Sequence, residues 1–404
     1  MSSIAPLQDL VFRGEGGGTI VFVVMDGLGG LPDPKTGLTE LESASTPNLD
    51  GLACRSSLGS LLPVGSGITP GSGPGHLALF GYDPVANIVG RGVLSALGVG
   101  FDLEPGDVAA RINLATVDSD RIVLDRRAGR ISDDEGRRVV EKVSGAVKNI
   151  DGIDITLIHE KEHRAVLIMR GDGLGVDVAE TDPQLVGLKM IEPDASNEHS
   201  VRTANVVKIL LEQVDNILAD ESVANAFLVR GFGAHPNYSS FPERYGLNAL
   251  AVAKYPMYRG VARLVGMEIA TPPLSNEQTI ETLENNFGSH DFYFLHFKDT
   301  DTSGHDEDFE GKMAAIEEID SMIPRILNLN PDVLVVTGDH STPTLLGEHS
   351  WHHVPTMIHS KWARPSSDAF GETSCRGGDL GVLHGIDLMP LVLAHSLRLN
   401  KYGA

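Results

Sequence analysis

Three apolar runs in this chain stop abruptly at or near an acid, and that shared ending narrows the folds open to it. Residues 19–25, TIVFVVM, meet Asp26; Phe292–Phe297, FYFLHF, leads into Lys298, Asp299, Asp301 and His305; Val333–Thr337 breaks at Gly338 into Asp339-His340. Short runs of this kind, rich in β-branched and aromatic residues, predict strands buried on both faces of a sheet. Parallel strands bring their carboxyl ends to one edge, and open α/β sheets put their ligands there. His349 follows in the loop after the third run, with His352 and His353 just before Val354-Pro355. Counting His349, three carboxylates and three imidazoles can meet at that edge, a donor set suited to two divalent metal ions. An Asx turn with surface histidines explains one such pair by itself. Three strands ending alike point to a common cause.

The rest of the pattern fits an α/β chain with an insert. Thr46 is placed to cap a helix that has Pro47 at its first position. Residues 201–218 carry apolar side chains at helical spacing, and Met313, Ile316, Ile319 and Ile323 mark a helix face up to Pro324. Residues 226–229 and 247–252 read as strands of the main sheet, and 258–265 as a helix. Between 107 and 191 the texture changes to short alternating runs at 109–117 and 121–124, a helical segment near 137–147, and strand-like runs at 153–159 and 164–169. We therefore expect a discontinuous main domain over 1–107 and 192–404 and an inserted α+β domain over 108–191. The glycines after Asp26, in GLGGLP, lack dinucleotide-binding spacing and run into Pro32 rather than a helix, which excludes a Rossmann site.

Charge bounds the partners. A formal net charge of −23 over 404 residues repels nucleic acid and anionic membranes, so neither is expected as a partner. An anionic ligand would need a local patch of Arg and Lys to overcome that field. No stretch approaches the ~20 consecutive apolar residues of a membrane span. Cys54 and Cys375 are too few for a disulfide framework, which favours a reducing compartment, and a cytoplasmic location is expected.

Residues 69–76, TPGSGPGH, offer a nucleophile. The prolines and glycines around Ser72 fix a tight turn that leaves its hydroxyl unshielded, and the HLALF that follows can begin a helix. Backbone N–H groups at such a helix start suit an oxyanion or a phosphate. Nothing in the sequence places a His-Asp dyad beside Ser72, so coordination to a metal would lower its pKa instead.

Asp26-Gly27 after a strand, TPGSGPGHLALFGYDP at 69–84, GRGVLSALGVGFDLEPGD at 90–107, Asp301-x-x-x-His305, Gly338-Asp339-His340-Ser341-Thr342-Pro343 and His349-Ser350 before Val354-Pro355 form an ordered set. With that set the chain resembles the archaeal-type, cofactor-independent phosphoglycerate mutases of the alkaline phosphatase superfamily, through nearly its whole length. The resemblance implies an alkaline-phosphatase-like, three-layer α/β main domain with a mostly parallel sheet, plus a smaller inserted α+β domain. It implies that Asp26, Ser72, Asp339 and His340 hold one metal and that Asp301, His305 and His349 hold the other. The family's ligand histidine sits five residues before the valine of its Val-Pro pair, which selects His349 over His352 and His353. The metals are usually manganese, with cobalt, magnesium or zinc as alternatives. Ser72 would take the phosphoryl group from 3-phosphoglycerate, and the glycerate would reorient and recover it on its 2-hydroxyl, with no bisphosphoglycerate primer.

The insert would hold glycerate and keep water from the phosphoserine. Arg126, Arg127 and Arg130, with His163 and Arg164, are candidates for carboxylate and phosphate contacts, and Arg91 and Arg259 are further candidates. Trp351-His352-His353 stand where relatives usually have a small polar pair and a proline. Homoserine kinases of the same superfamily are similar but tend to show PGSDVANL where this chain has PGSGPGHL, so His76 and the flanking glycines favour the mutase. A metal-dependent phosphatase differs in releasing phosphate. A catalytically dead metal-binding scaffold would have no need of all seven ligand positions.

Overall fold

The computed structural model describes residues 7–11, 17–236 and 238–403. Two compact units are present, Met1–Ile88 with Tyr238–Ala404, and Val89–Asn237.

The first unit is built on eight strands in the spatial order Glu268–Ile269, Ala249–Ala253, Phe292–Phe297, Ile20–Met25, Val333–Thr337, Val354–Ser360, Ser57–Leu62, Gly381–His384. Val354–Ser360 is antiparallel to both neighbours, and every other pairing is parallel. The three apolar runs lie side by side at the centre and are buried at every residue, which is why they show no polar alternation. Each fully buried Val, Leu, Ile or Phe there contributes about 1.5–3 kcal/mol, so these strands dominate the core of the unit. Their register also builds the site. Val24 pairs with His296 on one side and Thr337 on the other, and Met25 pairs with Phe297, so Asp26, Lys298 and Asp339 leave the sheet together.

Two local expectations are corrected. Helix Phe309–Asn328 does not stop at Pro324 but runs through it, with Ile316, Ile319, Ile323 and Ile326 buried along one face. Packing on both sides of the proline outweighs the lost backbone bond. Helix Pro47–Ala53 starts after Thr46, yet the Thr46 side chain makes no capping bond. The carboxylate of Asp320 does that instead, accepting from the backbone N–H groups of Asn48 at 3.1 Å and Leu49 at 2.7 Å. A cap supplied from another helix leaves no local signature.

The second unit holds an antiparallel sheet in the order Val123–Asp125, Val108–Val117, Arg164–Arg170, Ile153–Lys161, Asn149–Ile150, and Ala226–Ala234 also pairs with Val108–Val117. Helices Asp133–Ala146 and Val201–Ile217 contribute Val139, Val143, Val207, Leu210 and Val214 to one core with Ile112, Leu167 and Phe227. This α+β unit is larger than the 108–191 expected, since it spans Val89–Asn237. The helix Val201–Ile217 and the strand Ala226–Ala234, expected in the main domain, complete its core and sheet. Residues 226–234 pair with residues more than a hundred positions upstream, from 108 to 115, and local periodicity cannot report such a partner.

Arg126 is part of this scaffold. Its Nε and Nη2 donate to the two oxygens of Asp182 at 2.9 and 2.7 Å, and that carboxylate is fully buried. Arg126→Ala is expected to lower stability by about 1–3 kcal/mol in urea unfolding, because it strips a buried charge of its forked partner. Lysine at 126 recovers only part of the loss, lacking the planar fork. Among the described residues no helix is long and apolar enough to cross a membrane.

Candidate active site

The seven side chains expected to hold metal or phosphate all lie in the first unit. Asp26 ends strand Ile20–Met25, Asp301 and His305 lie on helix Asp299–His305 just after Phe292–Phe297, and Asp339 and His340 follow Val333–Thr337. Gly27 has a φ of 64°, and a Cβ there would stand 2.5 Å from Thr342 Oγ1 and 2.9 Å from Asp301 Oδ1. Glycine is thus required for the turn that lets Asp26 approach Asp301. Two groups form, Asp26 with Asp339 and His340, and Asp301 with His305 and His349, the ligand atoms of each lying within 4.8 Å of one another. The groups adjoin: His340 Nε2 is 3.9 Å from Asp301 Oδ1, and the His340 and His349 rings stack at 3.6 Å. Ser72 opens helix Ser72–Leu79, so the expected tight turn is the first turn of the helix itself, and its Oγ lies 3.1 Å from His340 Nε2.

The donor chemistry fits divalent cations. Asp26 Oδ1 is buried without a hydrogen-bond partner, 3.2 Å from His340 Nε2, and the buried Asp339 Oδ2 lies 3.3 Å from the same nitrogen and 3.1 Å from His76 Nδ1, which also meets the Ser72 carbonyl at 2.8 Å. Buried anionic oxygens left so are costly unless a cation meets them. The imidazoles are held in one tautomer. His305 Nδ1–H donates to the Gly347 carbonyl and His349 Nδ1–H to the Pro70 carbonyl, both at 2.9 Å. The Thr342 hydroxyl donates to Asp301 Oδ1 at 2.7 Å and so accepts from His340 Nδ1–H at 3.0 Å. Each Nε2 is left with a lone pair aimed at carboxylates, the arrangement typical of metal-ligating histidines.

Several neighbours were not singled out from the sequence. Lys298 Nζ donates to Asp26 Oδ2 at 3.1 Å and Asp301 Oδ2 at 2.5 Å. His296 Nε2 meets Asp26 Oδ2 at 3.1 Å, and its ring stacks on Tyr258 at 3.6 Å. Burial alone would raise the Asp26 pKa, but His296 and Lys298 at Oδ2 favour the charged form and the carboxyl is held well below its usual range. Burial likewise opposes ionisation of Asp301, and the Lys298 ammonium that donates to it favours the charged form, so the carboxyl is held below its usual range. The available cue for Lys298 was a cation placed directly after a buried strand.

This chain is 49% identical over 386 residues to a probable 2,3-bisphosphoglycerate-independent phosphoglycerate mutase of Thermotoga sp. (strain RQ2), covering 95% of this chain and 96% of that one. It belongs to the 2,3-bisphosphoglycerate-independent phosphoglycerate mutase family. A probable mutase of the same name from Thermus thermophilus is 48% identical over 391 residues, again 95% and 96% of the two chains. The family model described as 2,3-bisphosphoglycerate-independent phosphoglycerate mutase matches residues 53–224. Among solved structures, the cofactor-independent phosphoglycerate mutase of Thermoplasma acidophilum DSM 1728 superposes with a TM-score of 0.76 at 28% identity, covering 94% of this chain and 100% of that one.

The second unit of this mutase-family chain carries a cleft of about 510 Å³ lined mostly by cationic side chains. Arg91, Arg127, Arg130, His163 and Arg164, all expected as ligand contacts, line it together with Arg111 and Arg230, which the sequence reading missed. Arg111 faces Arg230 across antiparallel strands, and Asn113 faces Arg164. Like charges directly opposite one another destabilise a sheet. Glu160, 3.7 Å from Arg111, and Asp182, 3.2 Å from Arg230, offset this only in part. Arg111 Nε and His163 Nδ1 are buried without a hydrogen-bond partner, each with a carboxylate oxygen, of Glu160 and Glu162 respectively, no closer than 3.7 Å. Burial, reinforced by the neighbouring arginines, pushes the pKa of each below its usual value.

Two candidates fall outside this cleft. Arg126 is committed to Asp182, as above. Arg259 sits on helix Pro256–Leu264 of the first unit, its Nε buried without a hydrogen-bond partner. The Trp351-His352-His353 departure leaves His349 in its group. Ser350 pairs with Ser341, and the rings of Trp351 and His352 stack on each other at 4.9 Å.

Proposed function

We propose that this chain interconverts 3-phosphoglycerate and 2-phosphoglycerate through a phosphoserine at Ser72, with two divalent metal ions bound beside it. The observation that carries this reading is the position of Ser72 Oγ, 3.1 Å from His340 Nε2, where the two ligand groups adjoin. Asp26, Ser72, Asp339 and His340 would hold one ion, and Asp301, His305 and His349 the other. When bound, manganese or a similar ion such as cobalt, magnesium or zinc supplies positive charge that lowers the hydroxyl pKa and offsets charge on the phosphoryl oxygens.

The protein's own groups account for the rest. Ser72 Oγ forms the new bond to phosphorus as the bond to the 3-oxygen of the substrate breaks, and that oxygen leaves as the hydroxyl of glycerate. The glycerate turns without departing, its 2-oxygen attacks the phosphoserine, and Ser72 recovers its proton. The start of helix Ser72–Leu79 adds partial positive charge beside the transferred group. Lys298, donating to both Asp26 and Asp301, is a fixed cation of the same region. Arg91, Arg127, Arg130, His163 and Arg164 bind the carboxylate and phosphate of the substrate, with Arg111 and Arg230. Arg259 is a further contact in this reading. A soluble glycolytic role in the cytoplasm follows from it.

Incubating the protein with 3-phosphoglycerate and Mn2+, without bisphosphoglycerate, is expected to yield 2-phosphoglycerate and no free phosphate. Release of phosphate in place of 2-phosphoglycerate would replace the mutase by a phosphatase. Arg130 is exposed in the cleft, and Arg130→Ala is expected to raise KM about tenfold, the loss of one charged hydrogen bond, with little change in melting temperature. An unchanged KM would remove Arg130 from the substrate site.

A further inference from the structure

Helix Phe309–Asn328 turns an apolar face inward through Ile316, Ile319, Ile323 and Ile326. Lys312 falls in phase with them, one turn before Ile316, and is fully buried. An ammonium so placed is strongly disfavoured unless its three donors are met. Here they are: Nζ donates to the carbonyls of Gly27 at 3.0 Å, Gly29 at 3.1 Å and Thr342 at 2.8 Å. Glu40 Oε1, 4.0 Å away, supplies the nearest opposite charge.

Those three carbonyls belong to the loops that carry the metal ligands. Gly27 follows Asp26, and its N–H donates to Asp339 Oδ1 at 3.1 Å. The Thr342 hydroxyl links Asp301 to His340. Ser341 bridges to Leu28, Gly29 and Ser350, the residue after His349. Carbonyl dipoles aimed at one point repel each other, and a cation at that point is what makes their convergence stable.

We propose that Lys312 is a positioning residue for the metal centre, a built-in cation that clamps the Asp26–Gly29 turn to the Asp339–Thr342 loop and so fixes both ligand groups. It touches no ligand atom, and acts by holding the backbone that presents them. This inference rests on the two-metal reading above, and its test separates the two.

The test is a titration with Mn2+, followed by the electron paramagnetic resonance of free ion, at a temperature where circular dichroism shows each protein folded. The unmutated chain is expected to bind two ions; failure to do so would count against the two-metal reading itself. Lys312→Met, similar in length but without donors, is expected to bind Mn2+ about tenfold or more weakly at both sites. A folded Lys312→Met with affinities within about twofold of the unmutated chain would overturn the proposal. A purely structural lysine lowers stability without moving the affinity of the folded protein.

Should Lys312→Met not fold, the unmutated chain carries the test, because metal binding and the clamp must stabilise each other reciprocally. Competitive acetylation of Lys312, read by mass spectrometry, is expected to slow on Mn2+ binding by about ten times more than thiol labelling of buried Cys375. Equal slowing of the two reactions would overturn the proposal.

Discussion

Ser72→Ala is expected to abolish mutase turnover, lowering kcat by about 10⁴-fold or more, the scale seen when a nucleophile is removed. The fold should survive. Ser72 is the first residue of helix Ser72–Leu79, the helix is preceded by Gly71 as its cap, and alanine is well tolerated in a first turn. The substitution removes the Ser72 hydroxyl's contacts with His340 Nε2 and Tyr258, and His340 keeps its bond to Thr342. Melting temperature is therefore expected within about 3 °C of the unmutated chain. Steady-state conversion of 3-phosphoglycerate and thermal unfolding, measured on one preparation, check both halves. Turnover retained in Ser72→Ala would reject the phosphoserine route whatever the metal content.

Asp301→Asn is expected to have an effect nearly as large, because this carboxylate serves more partners than any other in the site's geometry described above. Its Oδ1 lies 3.4 Å from His349 Nε2 and 3.6 Å from His305 Nε2, and it accepts the Thr342 hydroxyl. Its Oδ2 accepts from Lys298. An amide keeps the shape but removes the charge that would meet a divalent ion, and its NH2 group would confront the Thr342 hydroxyl or the Lys298 ammonium, both of which donate to Asp301. We expect the bound Mn2+ to fall from two ions to one and kcat/KM to drop about 10³-fold. Chelation of the unmutated protein followed by Mn2+ addition should restore activity, whereas the same cycle on Asp301→Asn should not. Full Mn2+ stoichiometry with normal turnover in the variant would remove Asp301 from the centre.

The convergence of the three aspartates was legible in the sequence because each lies within a few residues of the end of a fully buried strand, and parallel pairing converts that position into a shared edge. Ser72, His305 and His349 lie further from a strand end and were assigned to the ligand set through the resemblance. Asp26, Asp301 and Asp339 obey this rule directly. What was not legible depends on contacts between distant segments. The cap that Asp320 gives to Asn48 and Leu49 has no local pattern. The pairing of 226–234 with 108–115 moved a strand from one unit to the other, and with it brought Arg230 opposite Arg111. Had the register been known, the facing arginines would have marked a cationic cleft. Lys312 did carry a signal, a cation in phase with an isoleucine stripe, but only the three carbonyls around it say what the charge is for. Arg126 shows the opposite error. Its place in an arginine-rich loop suggested ligand binding, and the buried Asp182 claims it instead.

The central claim is that Ser72 carries the phosphoryl group between the two positions of glycerate. Mixing the Mn2+-loaded protein with 3-phosphoglycerate, quenching in acid within milliseconds and mapping the peptides by mass spectrometry tests this directly. The account predicts one phosphorylated peptide, modified at Ser72, formed and consumed at rates compatible with turnover. Rapid conversion of substrate with Ser72 unmodified throughout, or with the phosphoryl group found on another side chain, would contradict it.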